Sequence, residues 1–195
     1  LCRSSRKPGN VLIVVTSFGK YRLWAHGNMR LVSGIDFFSR AGVMSINWIC
    51  KHHTALSKEQ LYAILQLRAQ VFVVEQKCWY QDVDGQDLLG DTRHLMAWQG
   101  DELVAYLRLL DPIQQDGDVT IGRVVTAPSM RNKGMGHELM VQALEHAERN
   151  WPDQPIYLSA QAHLQGYYSR YGFNPVGEVY VEDGIPHIGM RRDLD

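Results

Sequence analysis

Arg131, Asn132, Lys133, Gly134, Met135, Gly136 and His137 place two glycines, two residues apart, behind an arginine and a lysine and directly before an amphipathic run. Gly134 and Gly136 can take backbone angles that a Cβ forbids, and they let an anion approach the main chain. A helix opening at this point adds unpaired N–H groups and the positive end of its dipole. With the charges of Arg131 and Lys133, the segment reads as a cradle for a diphosphate. It matches neither common nucleotide motif. There is no G-x-x-x-x-G-K-[ST] loop to support phosphoryl transfer from a nucleotide. A dinucleotide fold would place G-x-G-x-x-G after its first strand, with an acidic residue ending the second. Here R-x-x-G-x-G follows a strand deep in the chain. A second stretch, from Ser159 to Pro175, gathers Tyr167, Tyr168, Tyr171 and Phe173 around Gly172. By residue type alone it reads equally well as an aromatic core helix closed by a glycine cap with proline beyond.

The titratable groups available for proton transfer are Glu75, Asp84, Asp87, His94, His163 and His187. Each is individually a reasonable loop residue or local hydrogen-bonding group. Glu75 stands out because it directly follows Val71-Phe-Val-Val, at the end of an apolar helix face. No metal site is expected: His137-Glu138-Leu-Met lacks the second histidine of H-E-x-x-H, and the adjacent His52 and His53 point in different directions on a strand. Cys2, Cys50 and Cys78 form no C-x-x-C pair and are odd in number, so neither a disulfide framework nor a zinc cluster is indicated, and a reducing cytoplasm fits best. Cys78 lacks a recognisable catalytic partner and reads as a packed or exposed thiol.

The elements that must position these groups begin near Met44. With 195 residues, 22.3 kDa and 45% hydrophobic residues, the chain suffices for one domain with a substantial core. A net charge of −1 and the lack of a long basic run argue against a nucleic-acid protein. Residues 1–43 carry Arg3, Arg6, Lys7 and a short apolar run from Val11 to Val15, with no sustained helical or strand period. That run is too short for a bilayer, which needs about 20 residues, and no small-residue cleavage site follows closely. Met44 is the expected start of a domain spanning 44–195, with 1–43 an atypical extension or leader outside it.

From there Ile46 to Lys51 reads as a strand, and Ser57-Lys-Glu-Gln60 as a capping pattern before Leu61, Ile64, Leu65, Arg68, Val71 and Phe72. Cys78 to Asp91 reads as a long loop or broken second helix. Strands follow at His94 to Gln99, Leu103 to Leu110 and Val119 to Thr126, the first two joined around Gly100-Asp101. A helix from Lys133 to Asn150 carries Leu139, Met140, Ala143, Leu144 and Ala147 on one face. A strand from Ile156 to Ala160, the tyrosine helix, and strands from Val176 to Glu182 and Ile185 to Arg191 around the turn pair Asp183-Gly184 complete the order.

The R-x-x-G-x-G loop opening a helix after the fourth strand, followed by [FY]-Y-x-x-x-G-F at Tyr167 to Phe173, resembles the GNAT family of N-acetyltransferases. The resemblance covers the chain from about Met44 to its end. Val71-Phe-Val-Val-Glu75-Gln76, Tyr80-Gln-Asp-Val-Asp84-Gly85, Ala160-Gln-Ala-His163-Leu and Glu182-Asp-Gly-Ile-Pro-His187 look like its ElaA-type bacterial branch. It implies an α/β acyl-CoA N-acyltransferase fold: a central mixed, mostly antiparallel sheet of about six to seven strands flanked by about four helices. It also implies acetyl-CoA as cosubstrate, a small-molecule or peptide amine as acceptor, direct attack in a ternary complex, and no nucleic-acid or membrane partner. The last strands offer an edge for a homodimer.

Carried over residue by residue, the resemblance assigns Val124, Val125 and Thr126 to the pantetheine arm and thioester carbonyl, and Arg131 through His137 to the diphosphate. Tyr168 becomes the acid for the departing thiolate, with Tyr167 and Tyr171 packing beside it. Gln161 stands where relatives often have an asparagine contacting the cofactor arm. Where several members carry a glutamate in the fifth strand, this chain has Ile156 and apolar neighbours; Glu75 is therefore the expected base. Asp84, Asp87, His94 and His187 are expected at the acceptor. Two alternatives stand beside this reading. Arg68-Ala-Gln-Val-Phe72, Trp79 and the Asp84/Asp87 pair also look like the first third of acyl-homoserine lactone synthases, and a non-catalytic acyl-CoA-binding module would retain the cradle alone.

Overall fold

The computed structural model describes residues 12–16, 20–25, 28–33 and 45–194, and it divides into two units, 1–44 and 45–195. In the first unit, β1 (Leu12–Thr16), β2 (Lys20–Ala25) and β3 (Asn28–Ser33) pair as an antiparallel meander, with Leu12 opposite Trp24 and Tyr21 opposite Val32. No strand period is legible there in the sequence. Cys2, Arg3, Arg6, Lys7 and the expected start at Met44 lie outside the described residues.

The second unit is built on a seven-stranded sheet, in the order β4 (Ile46–His52), β5 (Arg93–Gln99), β6 (Glu102–Leu110), β7 (Val119–Thr126), β8 (Ile156–Gln161), β10 (Ile185–Arg192), β9 (Asn174–Glu182). Every neighbouring pair is antiparallel except β7 and β8. Three α-helices cover it: α1 (Lys58–Arg68), α2 (Met135–Asn150) and the short α3 (Gln165–Ser169). In place of a fourth, α1 runs on into a π-helical turn over Ala69–Glu75, in which the Gln76 N–H reaches the Val71 carbonyl at 2.9 Å. The wider turn inserts a residue into the helical register. It brings Phe72 and Gln76 to the wall of a cleft and leaves Glu75 facing solvent.

Local chemistry explains most element boundaries. Ser57 accepts from the Gln60 N–H, and the Gln60 side chain accepts from the Ser57 N–H, closing both arms of a capping box. Asp183 and Gly184 sit at φ 49° and 79°, the left-handed pair of a two-residue hairpin turn. β9 begins at Asn174 and so includes Pro175, which an edge strand tolerates because its outer N–H groups have no partner. β6 is buried at every position after Glu102, as a central strand covered on both faces must be. Its side chains, with Leu95 and Met96 of β5, Ile64 and Val71 on the α1 side, and Leu139, Met140 and Ala143 of α2, make the core.

Candidate functional site

β7 and β8 part company midway. Their parallel pairing runs only through Val119–Ile156, Thr120–Tyr157 and Ile121–Leu158. Beyond Ile121 the strands separate, and a cleft of about 650 Å³ opens between them. The separation has a local cause on the other side of β7. Its ladder with β6 shifts register where Gly122 faces Arg108 and Val125 faces Tyr106, so Arg123 and Val124 together stand opposite Leu107. This is a β-bulge, with Arg123 in the left-handed region at φ 54°. Bulges bend and twist the strand that carries them, and this one turns the end of β7 away from β8. Val124 faces the cleft, Val125 packs into the core, and Thr126 continues the pairing opposite Ala105.

At the end of β7, Pro128–Met130 makes a 3-10 turn, and the loop passes through Asn132 at φ 59° and Gly134 at φ 82° before α2. These two left-handed residues delay the helix to Met135, two residues after the expected start at Lys133. Gly134 caps α2 without any side-chain acceptor, and the first helical bonds run from His137 and Glu138 to its carbonyl. The N–H groups of Met135 and Gly136 are therefore left at the positive end of a 16-residue helix. Arg131, Asn132 and Lys133 are exposed around them. These residues fit a diphosphate: open main-chain donors, a permissive backbone and two cationic side chains. His137 is exposed, and its Nδ1 lies 2.8 Å from the Tyr171 hydroxyl, tying the turn after α3 to the first turn of α2.

Tyr168 is 7% exposed, yet it lines the cleft. Burial pushes its phenol up to about 12, and among the described residues its hydroxyl makes no hydrogen bond, so its proton remains available. Tyr167 packs edge-on against it, and Tyr171 packs edge-on against Tyr167. Gln161 also lines the cleft.

The opposite wall is an ion network. Arg68, fully buried, donates from Nε to Asp82 at 2.8 Å, from Nη1 to Asp87 at 2.7 Å and from Nη2 to the Asp82 carbonyl at 2.6 Å. Arg108 binds both oxygens of Asp84 and reaches Asp87 at 2.9 Å. Arg123, thrown out by the bulge, bonds Asp82 at 2.8 Å and Asp84 at 3.1 Å and lies over the Tyr80 ring. Gly122 leaves room for this arrangement: a Cβ there would stand 3.3 Å from Arg108 Nε, and the guanidinium would have to give way by a few tenths of an ångström. Burial would raise the Asp87 carboxyl, but the bonds and charges of Arg68 and Arg108 outweigh it and hold it below the ordinary carboxylate range. Asp84 is held low in the same way, burial being overcome by Arg108, the Gln86 N–H and Arg123.

Several expected site residues thus take other places. Asp87 and His94 do not reach the cleft. Asp87 is spent on two arginines, and His94, fully buried, uses one ring nitrogen on the Tyr106 hydroxyl and the other on the Asp87 carbonyl. Asp84 lines the cleft with its charge already matched. Glu75 lies outside it, bound in a two-pronged ion pair to Arg131 at 2.6 and 3.0 Å, which holds its carboxyl below the usual range. His187 does line the cleft, with Tyr157, Ser159 and Glu182 beside it. Sequence reasoning missed Arg108 and Arg123. Arg108 left a signal: one arginine within the apolar run Leu103–Leu110 demands a buried counter-ion. Among the described residues no three His, Cys, Asp or Glu side chains converge as a metal site, and no helix is long and apolar enough to cross a membrane.

A family model described as an acetyltransferase (GNAT) domain matches residues 53–194. Protein ElaA of Escherichia coli is 55% identical over 149 residues, covering 76% of this chain and 97% of that protein. The crystal structure of Escherichia coli ElaA aligns over 76% of this chain and all of its own, at 54% identity and a TM-score of 0.73. An acyl-CoA N-acyltransferase from Pseudomonas aeruginosa aligns at 65% identity and a TM-score of 0.75, over 76% of this chain and 99% of its own. With its split β7–β8 pair and glycine cradle, the chain belongs to the GNAT acetyltransferase family, in its ElaA-like branch.

Proposed function

We propose that the protein transfers an acetyl group from acetyl-CoA to a primary amine by direct attack within a ternary complex. The observation that carries this reading is the end of β7–β8 pairing at Ile121–Leu158, which opens a cleft with the Tyr168 phenol in its wall. In this reading Arg131 through His137 hold the diphosphate, Val124 to Thr126 and Gln161 hold the pantetheine arm, and main-chain N–H groups freed by the β7 bulge face the thioester oxygen. Fixed donors at an oxygen that gains charge lower the barrier without reorganising. Tyr168 protonates the departing thiolate; its raised phenol keeps that proton throughout the working pH range. Glu182 and Asp183 at the cleft favour a cationic acceptor over an anionic one. The free Cys50 and Cys78 suit a reducing cytoplasm.

The test is thiol release from acetyl-CoA against putrescine, spermidine, phenethylamine, glycinamide and a lysine peptide. At least one should be turned over, and Tyr168→Phe should lower kcat by about 10²-fold or more with CoA affinity unchanged. Silence with every amine, with CoA still bound, would leave an acyl-CoA-binding module instead.

A further inference from the structure

An acceptor amine reaches the cleft as an ammonium, and its nitrogen has no lone pair for attack until a base removes a proton. We propose that His187 is that base, acting through Nε2; the assignment rests on the N-acetyl transfer reading above.

Its ring has one nitrogen fixed and the other free. Nδ1 lies 2.8 Å from the Ile185 carbonyl two residues back. A carbonyl oxygen can only accept, so the neutral ring carries its hydrogen on Nδ1 and its lone pair on Nε2. Among the described residues Nε2 has no hydrogen-bond partner. Strand alternation directs the ring. Ile188 and Met190 are buried in the core, so His187 faces the other side of the sheet, into the cleft. The ring lies against that of Tyr180, centroids 6.2 Å apart and planes 29° from parallel, which limits its rotation.

Of the other candidates, Asp87 and His163 do not line the cleft, and the rest already hold partners. Glu75 is outside the cleft and paired with Arg131. Asp84 carries Arg108 and Arg123. His94 has both ring nitrogens engaged within the core. Glu182 accepts from Ser159 Oγ at 3.3 Å, and Ser159 Oγ also bonds the Tyr180 hydroxyl, so this carboxylate is positioned to attract a cation beside the imidazole. The charged and titratable groups around His187 are Tyr157 of β8, Tyr180 and Glu182 of β9, Asp183 of the turn, Tyr168 of α3, and Cys78, Tyr80, Asp84, Arg108 and Arg123 across the cleft.

The proton balance closes. Nε2 takes one proton from the ammonium, and the freed nitrogen lone pair forms the C–N bond at the thioester carbon. Collapse of the resulting adduct breaks the C–S bond and sends that electron pair to sulfur, which takes the Tyr168 proton. The Tyr168 phenolate is reprotonated by the second proton leaving nitrogen. The imidazolium then returns its proton to solvent, so one proton is released for each amide formed. No oxidant, reductant or metal is needed.

The test uses His187→Asn, whose amide can still donate to the Ile185 carbonyl but cannot act as a base. With an amine that the wild type acetylates, kcat/KM at pH 7 should fall about 10²- to 10⁴-fold. The deficit should narrow at alkaline pH, where solvent supplies the free amine, and CoA affinity by calorimetry should be unchanged. Millimolar imidazole should restore part of the rate to His187→Ala. In the wild type, long-range ¹H–¹⁵N NMR should show the Nδ1–H tautomer, a reading independent of any variant's folding. A kcat/KM within about threefold of wild type at every pH, an Nε2–H tautomer, or a loss of CoA affinity in His187→Asn would each overturn the assignment. Failure of the wild type on every amine would remove the transfer reading itself, and the base with it.

Discussion

Replacing Arg68 with methionine removes the deepest cation of the ion network while keeping an unbranched side chain of similar reach. Arg68 makes three charge-assisted bonds to Asp82 and Asp87, at 2.6 to 2.8 Å, from a fully buried position. Taken singly, such bonds contribute about 1.5–3 kcal/mol each, but their sum overstates the loss. Arg108 still reaches Asp87, and Arg123 still reaches Asp82. What remains is the cost of leaving buried carboxylates one cation short, about 3–5 kcal/mol. For a domain of this size that lowers Tm by about 6–20 °C. The loss should depend on pH. Asp87, which Arg68 holds, titrates below the ordinary carboxylate range in the folded chain. Its contribution is complete above the unfolded value of about 4 and is lost as pH falls through the folded value. The stability gap between wild type and Arg68→Met should therefore be widest near neutrality and close in acid. Urea titrations at pH 7, 5 and 3, followed by far-UV circular dichroism, measure it. A loss under about 1 kcal/mol at pH 7, or a gap that does not change with pH, would refute the view that paired charge holds this wall.

Glu75→Gln should tighten CoA binding about two- to fivefold at low salt, because the carboxylate that occupies the Arg131 fork competes with a diphosphate for it; calorimetry at two ionic strengths checks both the gain and its screening. Cys50, whose thiol burial pushes up to about 11, should react with a disulfide reagent at pH 8 about 100-fold more slowly than a free cysteine, since only the thiolate attacks. Stopped-flow absorbance in a Cys2→Ser/Cys78→Ser background reads that rate directly.

What was legible beforehand is what depends on neighbours along the chain. The capping box needs only Ser57 and Gln60, and the hairpin turn only Asp183 and Gly184, and both stand where local rules put them; the glycine loop from Arg131 to His137 leads into a helix as its sequence implies, two residues later than expected. The cleft wall follows a different logic. Arg68 meets partners 14 and 19 residues away, Arg108 partners 21 and 24 away, and Arg123 partners 39 and 41 away. No periodicity spans such separations. An arginine on the apolar face of α1 or inside β6 shows that a counter-ion must exist without showing which aspartate supplies it. An acidic loop beside a groove has the same composition whether its carboxylates face a substrate or an arginine, so residue type alone does not separate Asp84, which lines the cleft, from Asp87, which does not. The opening of the cleft was hidden for a related reason. It follows from one extra residue in β7, and a bulge built on Arg123, without the glycine that often marks the left-handed position, leaves no compositional trace. The two hidden features are also one device: the bulge that frees the end of β7 from β8 is the same distortion that carries Arg123 onto Asp82 and Asp84. Charge pairing on one side of the strand thus offsets the pairing given up on the other.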